Sequence, residues 1–176
     1  YLFLGGPQPA ITRDRISTEA AGGRLAGSVT LGAPVVREGG TFIPVMVSAA
    51  ADSMEPQALS LKVRISGEAT VAAIRRAGSA TSAEPVFEVS RATSDGAGYL
   101  VAFENGLVRA GQSTLVAEIE LTRAAGTQVR VDVDPALTML SRGGVRQATV
   151  TAKTLTVRGV TVDRSVDLRP TTRERN

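Results

Sequence analysis

QSTLVAEIELTRAAGTQVRVDV, residues 112–133, is written in period-two alternation. Leu115, Ala117, Ile119 and Leu121 fall on one side of a strand and Val116, Glu118 and Glu120 on the other, because successive β side chains face opposite ways. After a turn over residues 122–126, Val129, Val131 and Val133 share one side while Gln128, Arg130 and Asp132 share the other, so the stretch reads as a hairpin. Each strand then has a face to bury and a face to wet, which two strands alone cannot satisfy in water. The rest of the chain must supply a second apolar layer.

The neighbouring sequence supplies it. Residues 28–32 read as a short strand, residues 33–36 continue it past Pro34, and residues 38–40 turn. Residues 41–49 form a strand with Ile43, Val45 and Val47 on one side and Phe42 and Met46 on the other; Pro44 interrupts its donor row, which predicts an edge strand or a bulge. After a loop over 50–57, residues 58–66 alternate cleanly, with Leu59, Leu61, Val63 and Ile65 inward and Ser60, Lys62 and Arg64 outward.

Further along, residues 70–74 are short and apolar and residues 75–84 read as a loop. In the next strand Val86, Glu88 and Ser90 alternate with Phe87, Val89 and Arg91. A turn cluster over 93–98 leads to a strand at 99–103 that ends at Asn105-Gly106, a strong turn signal. The hairpin follows, then a loop over 134–146 and a last strand over 148–157. Only residues 135–141 have any helical flavour, and they are too few for a helix of consequence. With about eight or nine short strands, the expected fold is all-β, an antiparallel two-sheet sandwich of jelly-roll topology with extended N- and C-terminal arms.

Residues 1–26 are expected to be an N-terminal arm or membrane-proximal linker, residues 27–162 the sandwich, and residues 163–176 a polar tail. The chain opens on Tyr1 and not Met, as a processed or shortened product does. Tyr1-Leu2-Phe3-Leu4 runs into Gly5-Gly6-Pro7, and two readings stay open: the outer end of a signal-anchor helix, or a first strand or packed arm. A bilayer span needs about 20 apolar residues, so this tetrapeptide crosses nothing by itself.

At 176 residues the chain suits one domain with a sizeable core plus arms. Hydrophobic residues make up 43% but aromatic residues only 3%, so the core is built from Val, Leu, Ile and Ala. That scarcity also counts against a surface rich in the stacking platforms that glycans and single-stranded nucleic acids use. The chain has no cysteine and no histidine, which excludes thiol and imidazole nucleophiles, Ser-His-Asp triads, the usual zinc sites, iron–sulfur clusters and haem ligation by His. The net charge is +3, and Lys62 and Lys153 are the only lysines. Arginines stand singly, as at Arg64, Arg91, Arg109, Arg123, Arg130 and Arg158, without interleaved aromatics, so no nucleic-acid partner is expected.

A family resemblance is carried by several blocks. Residues 28–47, with the Gly39-Gly40 turn leading into Thr41-Phe42-Ile43-Pro44-Val45-Met46-Val47, resemble the opening of a cohesin-type domain. Residues 98–103, 111–121, 126–131 and 148–157 follow in similar order and spacing, so the likeness covers roughly Gly27 to Val162. It implies a nine-stranded jelly-roll sandwich, related in shape to carbohydrate-binding modules, that works by protein–protein contact and not by catalysis. The strand at 59–65 lacks the Tyr-Asp-Pro-like ending often seen in cohesins, and no partner-contact residues are carried over.

Several side chains are of types that can carry chemistry. Asp132 and Asp134, with Asp95, are oxygen ligands of the type calcium uses, yet six or more oxygens are needed and their spacing is ordinary for strand ends. Glu118 and Glu120 share a strand face as wet-surface carboxylates do, which sets aside a glycosidase pair. Arg75-Arg76 reads as a loop pair able to meet an acidic partner or lipid headgroups. Gly39-Gly40 and Gly143-Gly144 lack a following helix and are turns, not phosphate cradles.

No residue is singled out as catalytic, cofactor-binding or metal-ligating, and no cofactor or small-molecule ligand is expected. The favoured reading is a non-catalytic interaction or structural subunit of a bacterial envelope or extracellular assembly, such as an accessory subunit of a membrane complex, held through the N-terminal arm and C-terminal tail. Two alternatives stand beside it. One is a carbohydrate-binding module, for which Tyr1 and Tyr99 are the available aromatic pair; the other is a filament subunit in which residues 11–18 add a strand to a neighbour.

Overall fold

A computed structural model describes residues 24–37, 40–123, 128–143, 145–146 and 154–157. The arm at 1–23, the tail at 163–176 and the segment 148–153 of the expected last strand lie outside the described residues.

The strands run in chain order as β1 (Gly27–Leu31), β2 (Val35–Arg37), β3 (Gly40–Ala49), β4 (Ala58–Ser66), β5 (Ala69–Arg76), β6 (Phe87–Thr93), β7 (Gly96–Ala102), β8 (Ser113–Arg123), β9 (Val129–Val133), β10 (Met139–Arg142), β11 (Val145–Arg146) and β12 (Thr154–Val157). One antiparallel sheet has the order β1-β3-β8-β5, with β2 also on β3. The other has the order β11-β10-β4-β7-β6, with β9 on β4 and β12 on β9. A single 3₁₀ turn, Gly78–Thr81, lies in the stretch read as a loop, and β5 extends through Arg75 and Arg76.

The inward residues of both sheets form one core. Val29, Ile43, Val45, Val47, Ile119 and Leu121 come from the first sheet and meet Leu59, Leu61, Val63, Val101, Val131 and Leu140 from the second, all essentially without solvent access. Each such side chain contributes about 1.5–3 kcal/mol relative to exposure. The expectation of an all-β two-sheet sandwich holds, and the alternation of β3 and β4 matches their burial residue by residue until Ile65, which is half-buried.

Four local expectations are corrected. Residues 112–133 are not a hairpin: β8 pairs with β3 and β5 in one sheet, and β9 pairs with β4 and β12 in the other. Alternation fixes which side of a strand is dry but not which sheet holds it, and two strands facing each other across a core carry the same pattern as two strands side by side. Leu115 is not on the inward face. Val45 stands opposite Ala117 and Met46 opposite Leu115, so Val116 is the extra residue of a bulge, and Val116 and Ala117 are both buried. A second irregularity, at Ala72 in β5, meets the other edge of β8.

Pro44 lies in an interior strand, not an edge. The Pro44 carbonyl accepts from the Gly32 N–H at 2.8 Å. Since a residue in an antiparallel ladder presents N–H and C=O to the same neighbour, the missing donor of Pro44 faces the break between β1 and β2. That donor would have returned a bond to the Gly32 carbonyl, so the β1 ladder ends at Leu31, and the bulge that is the other place expected for this proline lies just beyond, between Val45 and Met46. Finally, residues 134–146 are not one loop, because β10 and β11 form within them and β10 pairs with β4.

Candidate interaction face

In the β4-β7-β6 part of the second sheet, residues opposite one another share a face. Tyr99, Val101 and Ala97 are buried, so their partners Ser90, Glu88 and Ala92 point to the core side. The outer face is therefore made of rows that run across the strands. Phe87, Ala102, Ala58 and Ser141 form one row, and Val89, Leu100, Ser60 and Met139 the next. Arg91, Gly98 and Lys62 follow, then Thr93, Gly96, Arg64 and Asp132. One half of the face is apolar and the other half is charged.

The apolar half is open to solvent. Phe87 is 49% exposed, Val89 45% and Leu100 37%, with Val86 at 70% just before β6. Gly98 adds a dip between the halves, since a Cβ built on it meets no atom within 4 Å. β6 is exposed along its whole length. Adjacent large apolar side chains left in water at neighbouring register positions are what a surface has where something else covers it.

The edge of this face is fixed from beneath. Tyr99, 2% exposed, donates its hydroxyl to Glu88 Oε1 at 2.9 Å, and Arg76 Nε donates to Glu88 Oε2 at 2.9 Å. The Ile74 N–H donates to Ser90 Oγ at 3.3 Å. These contacts join β6 and β7 to β5 of the opposite sheet. Burial, and then the hydrogen bond and charge of Glu88, hold the Tyr99 phenol above its ordinary pKa.

The charged half is internally paired except at Arg91, which has no ion pair among the described residues. Arg64 meets Asp134 at 2.7 Å, Lys62 meets Asp95 at 3.6 Å, and Arg130 meets Asp132 at 3.0 Å. Asp95 is held below the usual carboxylate range, first by the Thr93 hydroxyl and then by the Lys62 charge. Asp134 Oδ1 accepts the Ala136 N–H and closes a turn. Asp132, Asp134 and Asp95 thus serve separate cations, and no group of three or more His, Cys, Asp or Glu able to hold a metal occurs among the described residues.

The other residues weighed from sequence are also engaged. Glu118 and Glu120 share a face of β8, but Glu118 pairs with Arg37 at 2.6 Å and Glu120 with Arg75 at 3.7 Å, and the Arg37 guanidinium stacks on Phe42. Arg75 and Arg76 lie on a strand, not a loop. Arg76 turns to Glu88 and to the Ala83 carbonyl, whereas Arg75 keeps its side chain 76% exposed. Gly40 opens β3 and Gly143 makes a turn at φ +54; Gly39 and Gly144 lie outside the described residues. Tyr99 is in the core, so it offers no sugar platform, and Tyr1 to Leu4 and residues 11–18 lie outside the described residues. Among the described residues no helix is long and apolar enough to cross a membrane.

Phe87, Val89 and Leu100 were not singled out from sequence. Phe87 and Val89 alternate with Glu88 and Ser90, a pattern that normally buries the apolar side. Here the polar side faces inward at a sheet edge, where Glu88 and Ser90 find partners in Tyr99 and Ile74.

No protein-family model matches the chain, and no curated protein matches it. Solved structures do. The chain is similar to a cohesin module from a Clostridium perfringens family 33 glycoside hydrolase, with a TM-score of 0.53 and 12% identity over 76% of this chain and 96% of the module. It is also similar to a chain of the CaDoc0917–CaCohA2 complex, with a TM-score of 0.54 and 10% identity over 77% of this chain and 100% of that one. The two packed antiparallel sheets define a jelly-roll-like β-sandwich. Its particular form is the cohesin-type fold, as the sequence blocks suggested.

Proposed function

We propose that this chain is a non-catalytic protein-binding module of a bacterial envelope or extracellular assembly, serving as an accessory subunit of a membrane complex. The observation that carries the reading is the exposed apolar half-face of Phe87, Val89 and Leu100 on paired strands of the second sheet. Flat apolar patches rimmed by paired charges suit protein partners, because the apolar part gives burial and the rim gives register. A chain of the same fold in the CaDoc0917–CaCohA2 complex supports the class of activity. Residues 1–26 and 163–176 act in this proposal as arms that tether the module, residues 27–162 being the binding unit.

Site-specific photo-crosslinking in the source cells tests the proposal. A benzophenone side chain at position 89 or 100 captures one defined partner, and the same group at position 46, on the other sheet, does not. Equal capture from both sheets, or none from either, overturns it.

A further inference from the structure

At one end of the sandwich, between the 3₁₀ turn and the segment that joins β7 to β8, lies an open cavity of about 350 Å³. It shares no lining residue with the apolar half-face. Phe103 and Leu107, both nearly buried, give it an apolar floor. Its walls are held from both sides. The Phe103 N–H donates to the Gln57 carbonyl at 2.8 Å and the Leu107 N–H to the Pro56 carbonyl at 2.6 Å, while Ser79 and Thr114 join their hydroxyls at 2.9 Å on the opposite wall.

Two side chains of opposite charge line this cavity, Glu55 and Arg109. The Glu55 carboxylate lies against Gly106, 3.5 Å from where a Cβ would stand, and Gly106 itself keeps φ at +93. Among the described residues neither Glu55 nor Arg109 has a side-chain ion pair, with each other or with any other group, and the nearby Arg142 guanidinium donates to the Glu55 backbone carbonyl, at 2.8 Å, and not to its carboxylate. A half-buried carboxylate and an exposed guanidinium lining one cavity with an apolar floor are complementary to a dipolar molecule that carries one charge of each sign. The volume is at the lower end of the range for ligand pockets, about 300–1,000 Å³, so the occupant is small.

We infer that this cavity binds a short zwitterionic peptide, its ammonium against Glu55, its carboxylate against Arg109 and its side chains on Phe103 and Leu107. The carboxylate–ammonium and guanidinium–carboxylate contacts are charge-assisted hydrogen bonds that a neutral ligand end forfeits.

The test is a titration of the full chain, labelled with nitrogen-15, with trialanine, N-acetyl-trialanine and trialanine amide. Trialanine is expected to shift the amides of residues 103–112 and 78–83 with saturation by about 10 mM, as a Kd near 1 mM requires. Capping either end weakens binding about tenfold. Glu55→Gln is expected to abolish the penalty for N-acetylation and Arg109→Gln the penalty for amidation, each leaving the rest of the spectrum in place. No shifts at that concentration, or equal binding of the capped peptides, overturns the inference whether or not the variants fold.

Discussion

Val89 and Leu100 stand directly opposite each other on β6 and β7, and both present their side chains to water, 45% and 37% exposed. A cross-strand apolar pair is ordinarily the unit that stabilises a sheet against its neighbour layer. Here no layer covers that side among the described residues.

Replacing both residues therefore separates binding from folding. Val89→Thr with Leu100→Gln keeps strand-compatible shapes and removes most of the apolar half-face. The expected change in stability is within about 0.5 kcal/mol per site, read by urea denaturation, while the partner captured by crosslinking at position 87 is lost. A variant that unfolds instead would show that the pair supports the sheet.

Tyr99 and Glu88 give the molecule an alkaline limit. The Tyr99 pKa is raised on folding, so the folded state holds the proton more tightly than the unfolded chain does. Its contribution is fully present below about pH 10, the ordinary tyrosine value, and is lost as pH rises beyond it. Tyr99→Phe is expected to cost about 0.5–1.5 kcal/mol at neutral pH and to flatten the fall in melting temperature above pH 10.

Asp134 and Arg64 are partners of unequal weight. The Asp134 side chain is 9% exposed and Arg64 60% exposed, and Asp134 also accepts the Ala136 N–H. Asp134→Ala removes a turn bond as well as the ion pair and is expected to cost about 1–3 kcal/mol. Arg64→Ala, at a screened surface position, is expected to cost about 1 kcal/mol or less. Equal losses in chemical denaturation would contradict this ranking.

Two glycines on β7 predict opposite outcomes. A Cβ on Gly96 runs into the Val63 carbonyl, whereas one on Gly98 meets nothing. Gly96→Ala is expected to destabilise by about 1–3 kcal/mol through overpacking. Gly98→Ala is expected to be neutral or slightly stabilising, since it restricts the unfolded chain without strain. Thermal unfolding of the two variants decides.

Sequence reading reached the fold class because β3, β4 and β9 carry uninterrupted alternation, and their dry sides, from Ile43 to Val47, Leu59 to Val63 and Val129 to Val133, are the core. It failed where pairing departs from period two. Val116 shifts β8 by one residue, so Leu115 leaves the inward face that counting assigned to it. The partners of a strand are set by loops and by the whole topology, so β8 and β9 looked like a hairpin although they belong to different sheets. The candidate face was hidden for a related reason. Nothing in Phe87-Glu88-Val89-Ser90 says that the polar side finds hydrogen bonds under a sheet edge and that the apolar side finds no cover among the described residues. The cavity was hidden as well, since Glu55 and Arg109 are far apart in the chain and come together only through the anchoring of residues 103–112.

β8 lies between β3 and β5 and follows both of them in the chain. While the protein is being synthesised, the facing edges of those two strands therefore stay open until the strand that joins them has been made. Roughly sixty residues separate β3 from β8, which at about 5–20 residues per second amounts to several seconds on the ribosome. For that interval Ile43, Val45 and Val47 have an unfilled neighbour, and a nascent chain is far stickier than the finished one.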